Sequence, residues 1–170
     1  MITFIIGGAR SGKSRFALEK ASMHSGKKAY IATAQALDNE MSERIEKHKK
    51  ERSAEWVTIE EPLNIAALIK NIHAQYDVIL IDCLTLWLSN RVLKEAGERE
   101  IKKEIANLIE ALSETRIPVA LISNEVGLGI VPETPLGRRF RDLNGFLNQE
   151  TASISHEVFL VAAGIALQMK

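Results

Sequence analysis

Short apolar runs alternate along this chain with longer stretches in which apolar positions recur every third or fourth residue. The runs at 2–6, 28–33, 56–60, 77–83, 117–123 and 157–162 predict strands. The 3.6-residue pattern predicts helices over Ser14–His24, Asn39–Arg52, Leu63–His73, Thr85–Glu95, Arg99–Thr115 and Pro135–Ser155. That rhythm belongs to crossover units, so the expected class is α/β, a mostly parallel sheet flanked by helices. Several of the runs are almost continuously apolar, as strands covered on both faces should be. Gly26, Pro62, Gly97, Pro118 and Gly164 punctuate the pattern. The longest stretch without periodicity, Gly127 to Pro135, follows a strand, where open α/β sheets place ligand-binding loops.

Composition narrows the partners. A chain of 170 residues with 46% hydrophobic content fills one core and is short for two, and no repeat or Ser/Gly linker divides it, so 1–170 is expected to be a single domain. Lys plus Arg and Asp plus Glu both number 22, which leaves no global field to recruit nucleic acid or an anionic membrane. A small-molecule substrate is the better expectation. The lone cysteine, Cys83, sits in an apolar run, so no disulfide forms within one chain and a reducing compartment fits. Neither a secretory leader nor an apolar run of membrane-spanning length is visible, which gives the expectation of a cytoplasmic protein without membrane insertion.

The candidate chemistry begins at the first strand. Directly after Ile2–Ile6 stands Gly7-Gly8-Ala9-Arg10-Ser11-Gly12-Lys13-Ser14, a complete G-x-x-x-x-G-K-S, and a predicted helix follows it. Glycines let successive N–H groups turn inward, the helix start adds positive potential, Lys13 reaches the β- and γ-phosphates, and the Ser14 hydroxyl can ligate Mg²⁺. A second element corroborates it. Val78-Ile79-Leu80-Ile81-Asp82 is an apolar strand ending in a carboxylate, the pattern by which P-loop NTPases bring an Asp to Mg²⁺ or its waters. No Asn-Lys-x-Asp guanine reader follows, so guanine selectivity must arise elsewhere.

The helix predicted over 39–52 carries a histidine with two readings. Met41, Ile45 and His48 share one face, which describes a half-buried imidazole on an apolar stripe. Arg44, His48 and Arg52 also lie four apart, with Lys47, Lys49 and Lys50 alongside. Neighbouring cations favour the neutral imidazole, whose free lone pair could attack a phosphorus while the guanidinium groups clamp phosphate oxygens. Spacing leaves both open.

With these residues in hand, the chain resembles the bifunctional adenosylcobinamide kinase and adenosylcobinamide-phosphate guanylyltransferase family of cobalamin biosynthesis. The carrying segments are GGARSGKSRFA at 7–17, YIATAQALDNEMSERIEKHKKER at 30–52 and SNEVGLGIVPETPLGRRFRDLNGFLNQETA at 123–152, together with the closing EVFLVAAGI. The resemblance implies a RecA-like P-loop sheet and a homo-oligomer, commonly a trimer. It implies two reactions: transfer of a γ-phosphoryl group from ATP or GTP to adenosylcobinamide, then transfer of GMP from GTP to adenosylcobinamide phosphate through a guanylylated histidine, with release of pyrophosphate. Carried over by motif, that histidine is His48. The implied nucleotide contacts are Gly7, Gly8, Ala9, Arg10, Ser11, Gly12, Lys13, Ser14, Ala32, Thr33, Ala34, Lys49, Lys50, Glu51, Arg52, Glu60 and Asp82. Asn124 and Glu125 have two readings, orienting an attacking group or bonding the strand end. Arg138, Arg139 and Arg141 likewise suit either a corrinoid phosphate or intersubunit salt bridges. Two rivals are another small-molecule P-loop kinase with His48 a bystander, and a nucleotide-dependent corrinoid-binding module that turns over nothing.

Overall fold

The computed structural model describes residues 1–36, 39, 42–43, 54–94 and 97–170. Seven strands form one sheet: β1 (Ile2–Gly7), β2 (Lys28–Ala32), β3 (Trp56–Glu60), β4 (Val78–Asp82), β5 (Val119–Asn124), β6 (Glu157–Ala162) and β7 (Ile165–Gln168). Their spatial order is β3-β2-β4-β5-β1-β6-β7, parallel throughout except for the β6–β7 hairpin. The helices are α1 (Lys13–Ser22), α2 (Ile65–Ile72), α3 (Leu84–Leu93), α4 (Glu98–Glu114) and α5 (Pro135–Ile154). Of the helix expected over Asn39–Arg52, Asn39, Ser42 and Glu43 are described and helical; His48 and Lys49–Arg52 lie outside the described residues.

Both faces of the sheet are covered, as the unbroken apolar runs required. All six residues of β1 are buried. One face packs Phe4, Ile31, Ile79, Ile81 and Leu121 against α2, α3, α4 and α5. The other packs Ile5, Tyr30, Leu80 and Ile122 against Ala17 and Ala21 of α1. Strand alternation decides which residue goes to which side. α5 begins where its sequence says it should: Pro135 occupies the first turn, and the Thr134 hydroxyl accepts a hydrogen bond from the Gly137 N–H at 3.1 Å.

The pattern did not reveal β7. Ile165 and Leu167 are exposed, so four residues carry no core-facing repeat to read. A two-residue turn joins β6 to β7 at Ala163 and Gly164, with φ of 50° and 79°. Two positive φ values are what a tight hairpin needs, but alanine at the first of them hides the signal that asparagine would give. At the start of β5, Ile117 and Pro118 fall outside the strand, which begins at Val119. Proline has no N–H to give the ladder.

Candidate active site

The parallel strands all point their C-terminal ends to one crest, and most of the expected nucleotide contacts meet there. Gly7 closes β1, Ala32 closes β2, Glu60 closes β3 and Asp82 closes β4. Register ties them together: Ala32 pairs with both Asp82 and Glu60, and Gly7 pairs with Asn124. Glu60 is exposed at the rim, whereas its neighbour Glu61 accepts hydrogen bonds from the N–H groups of Leu63 and Asn64 at 2.9 and 2.8 Å and so shapes the approach to α2.

The loop between β1 and α1 is built on close backbone contacts. A Cβ on Gly7 would lie 2.3 Å from the carbonyl oxygen of Val161 and 2.8 Å from Ser11 Oγ, so only glycine fits. Gly12 has φ +94° and backs onto Gly164, whose Cα would be 3.2 Å from an added Cβ. The Gly164 N–H donates to the Ser11 carbonyl at 2.8 Å. The β6–β7 turn thus braces the loop, a role that in the sequence shows only as the punctuating Gly164. Lys13 is buried at the start of α1 and its Nζ donates to the Gly8 carbonyl at 3.0 Å. Ser11 Oγ is buried with no hydrogen-bond partner among the described residues.

Asp82 is held from the side. Tyr30, buried on β2, donates its hydroxyl to Asp82 Oδ2 at 2.6 Å and meets Trp56 edge-on at 6.3 Å. Tyr30 lies in the run 28–33 that predicts a strand, and nothing beside it in the chain points to Asp82 as its partner. Thr33 fastens the ends of β2 and β4. Its N–H donates to the Asp82 carbonyl at 3.0 Å, its hydroxyl donates to the Cys83 carbonyl at 2.7 Å, and it accepts from the Cys83 N–H at 2.8 Å. Asn90 Nδ2 completes the joint by donating to the carbonyls of Thr33 at 2.9 Å and Pro62 at 3.0 Å. The Thr33 side chain is fully buried and committed to protein, so what it gives the crest is the placement of Ala34 and Asp82. Burial, reinforced by the charge of Asp82, pushes the Cys83 thiol up to about 12, which keeps it protonated and unreactive at neutral pH.

The donor set for a Mg²⁺ ion would be Ser14 and Asp82, whose Oδ2 already accepts the Tyr30 hydroxyl. Among the described residues no group of three or more His, Cys, Asp or Glu is positioned to cage a metal. A hydroxyl from Ser14 and a carboxylate from Asp82 suit an ion that keeps most of its shell as water and phosphate oxygen. Beyond β5, Glu125 accepts from the Gly127 N–H and so serves its own turn. Arg138 folds back onto the carbonyls of Pro132 and Glu133 at 3.0 and 2.7 Å, and Arg141 pairs with Asp142 at 2.9 Å.

The sequence profile of a family described as cobinamide kinase / cobinamide phosphate guanyltransferase matches residues 3–169. Three relatives are called bifunctional adenosylcobalamin biosynthesis proteins. That of Pseudomonas aeruginosa is 43% identical over 170 residues, covering 100% of this chain and 98% of the relative. Those of Escherichia coli and Salmonella typhimurium are 39% and 41% identical over 182 residues, with 100% of each chain covered. Among solved structures, the RadB recombinase superposes with a TM-score of 0.54 at 16% identity, covering 94% of this chain and 73% of the other. That likeness shows the fold, a RecA-like P-loop sheet.

Proposed function

The chain belongs to the cobinamide kinase / cobinamide phosphate guanyltransferase family, and from that premise we propose how its residues divide the two transfers. It is an enzyme of cobalamin biosynthesis with kinase and guanylyltransferase activities. The observation that carries the division of labour is the single crest on which the Lys13 loop and Asp82 sit at the ends of β1 and β4. Only one phosphate cradle is present among the described residues, so ATP or GTP for the first step and GTP for the second occupy the same loop.

In the kinase step the loop N–H groups and Lys13 neutralise charge on the β- and γ-phosphates while the cobinamide hydroxyl is aligned with the γ-phosphorus. Ser14 and Asp82 would hold Mg²⁺, which would draw negative charge off the transferring oxygens. In the guanylyl step the same cradle retains the two outer phosphates as pyrophosphate leaves, and His48 attacks the α-phosphorus to form a phosphoramidate with GMP. The phosphate of adenosylcobinamide phosphate then displaces His48. Two in-line displacements preserve configuration at the α-phosphorus overall. Ala32, Ala34, Lys49–Arg52 and Glu60 complete the nucleotide site, with Thr33 acting through the placement of Ala34 and with Lys49, Lys50, Glu51 and Arg52 supplied by the segment that carries His48.

The enzyme works as a homo-oligomer, a trimer, without nucleic acid and in the cytoplasm. Uncovered apolar side chains support association: Leu128, Ile130 and Val131 stand out from the loop after β5. No helix among the described residues is long and apolar enough to cross a membrane. Intact-mass measurement after incubation with GTP and Mg²⁺ tests the covalent route. Wild type is expected to gain the mass of one GMP and His48→Ala none. A small-molecule kinase with a bystander histidine gives no adduct in either.

A further inference from the structure

The strand between the cradle and Asp82 ends in Asn124, whose two readings from sequence were orienting an attacking group or bonding the strand end. β5 lies between β4 and β1, and its last residue, Asn124, pairs with Gly7. Ala120 and Ile122 face the α1 side of the sheet, as do Leu80 on β4 and Ile5 on β1. Continuing that alternation, Asn124 and Asp82 both emerge on the α1 side, with Gly7 offering no side chain between Asn124 and the phosphate loop. Asn124 Oδ1 is buried and has no hydrogen-bond partner among the described residues.

What fixes Asn124 is a closed ring of hydrogen bonds on the opposite face. Ser123 Oγ donates to Asn148 Oδ1 at 2.7 Å, so its own proton is used. The 3.0 Å contact between Thr85 Oγ1 and Ser123 Oγ therefore has Thr85 as donor. That leaves Thr85 Oγ1 to accept the Asn124 N–H at 2.7 Å. Asn148 Nδ2 closes the ring by donating to the Asn124 carbonyl at 3.2 Å, and Asn144 Nδ2 donates to the same oxygen at 2.9 Å. Thr85, Ser123, Asn144 and Asn148 are all buried. The Glu125 N–H adds a bond to the Gly7 carbonyl at 3.1 Å. A strand end needs no such apparatus for stability alone, since an apolar turn would bury more simply. A ring in which each donor has one acceptor locks a single peptide orientation.

We propose that Asn124 is a catalytic residue of the kinase step, its carboxamide aligning the γ-phosphoryl group and the attacking cobinamide hydroxyl, and that Thr85 and Asn148 are the positioning residues that hold it. The alcohol oxygen bonds to the γ-phosphorus, the bond from that phosphorus to the bridging oxygen breaks, and the alcohol proton passes to a transferred phosphoryl oxygen. The nucleoside diphosphate departs. Asn124 takes no proton; it donates from Nδ2 and accepts at Oδ1. In the guanylyl step the bond breaks at the α-phosphorus, two phosphates away, so a contact with the γ-phosphate there aligns no reacting atom.

This rests on the cradle reading above, and the two are separated by measuring both reactions on each variant: phosphorylation of adenosylcobinamide, and transfer of GMP to adenosylcobinamide phosphate. Lys13→Ala is expected to abolish both, and retention of both would sink the cradle itself. Given that, Asn124→Ala should lower kinase kcat at least roughly thirtyfold with guanylyl transfer and GTP affinity within about threefold. Thr85→Val should lower kinase kcat about tenfold at unchanged nucleotide KM, and Thr85→Ser, which keeps the hydroxyl, should restore it. Parallel loss of both reactions in Asn124→Ala would mean a merely structural strand end and overturn the proposal. So would full kinase activity in that variant, or failure of Thr85→Ser to outperform Thr85→Val.

Discussion

The two sides of the crest are held by different means. On the β1 side, residues contiguous in sequence form the cradle, and backbone packs on backbone: Gly7 against Val161, Gly12 against Gly164, Ser11 bonded to Gly164. On the β4 side, Asp82 is set by side chains about 50 positions away, the Tyr30 hydroxyl on its carboxylate and Thr33 on the peptide that follows it. A site made of backbone cannot accept an extra Cβ; one made of side-chain bonds cannot lose a hydroxyl. The first is a matter of volume, the second of satisfied polar groups.

The largest effect should come from adding volume to the cradle. Gly7→Ala places a methyl 2.3 Å from the Val161 carbonyl, so the hairpin or the loop must move. Overpacking of this kind costs about 1–3 kcal/mol, and because the shift falls on the phosphate loop, GTP affinity should drop roughly tenfold to hundredfold. Calorimetric titration with GTP measures it; unchanged affinity would show that β6 and its turn do not brace the loop.

Removing a hydroxyl from the β4 side should cost somewhat less. Thr33→Val keeps the shape but leaves the buried Cys83 N–H without a partner and its carbonyl with the Trp87 N–H alone. Unfolding in urea should show a loss of about 1–3 kcal/mol, with Thr33→Ser recovering most of it. Equal stability for Val and Ser would mean that packing, not hydrogen bonding, fastens the ends of β2 and β4.

The smallest effect lies beneath both regions. Glu157, at the foot of β6, accepts hydrogen bonds from Lys20 on α1 and Thr3 on β1, and the Lys20 bond is the main reason its carboxyl sits below the usual range. A lowered carboxyl contributes stability that is full above the unfolded value and disappears as pH falls through the folded one. Wild type should therefore exceed Glu157→Gln by under about 1 kcal/mol near neutrality, with the gap in Tm closing as pH falls below about 5. A gap that is constant from pH 7 to pH 3 would assign the effect to something other than charge.

How much was legible follows from the same contrast. The phosphate loop could be read because its requirements are local: glycines where the backbone turns, lysine and serine opening a helix, an apolar strand before them. Asp82 could be read because a carboxylate closing an apolar run is also a local event. Tyr30 could not, since nothing near it in the chain announces a partner 52 positions on. Likewise Asn144 and Asn148 belong to the segment 123–152 that carries the resemblance, and only α5 laid across the end of β5 brings them to the Asn124 carbonyl.

The sequence by itself determined the order of strands and helices, the phosphate cradle, the acidic strand end and the family, because periodicity, backbone dihedral demands and motif spacing are all properties of neighbouring residues. The tertiary structure decided that β5 lies between β1 and β4, that an exposed hairpin strand completes the sheet, that Thr33 spends its hydroxyl on Cys83, and that a hydrogen-bonded ring closes on Asn124. Those depend on which distant segments are brought side by side. Burial then makes each polar group find a partner, and the partner available is set by strand order rather than by anything written beside it in the chain.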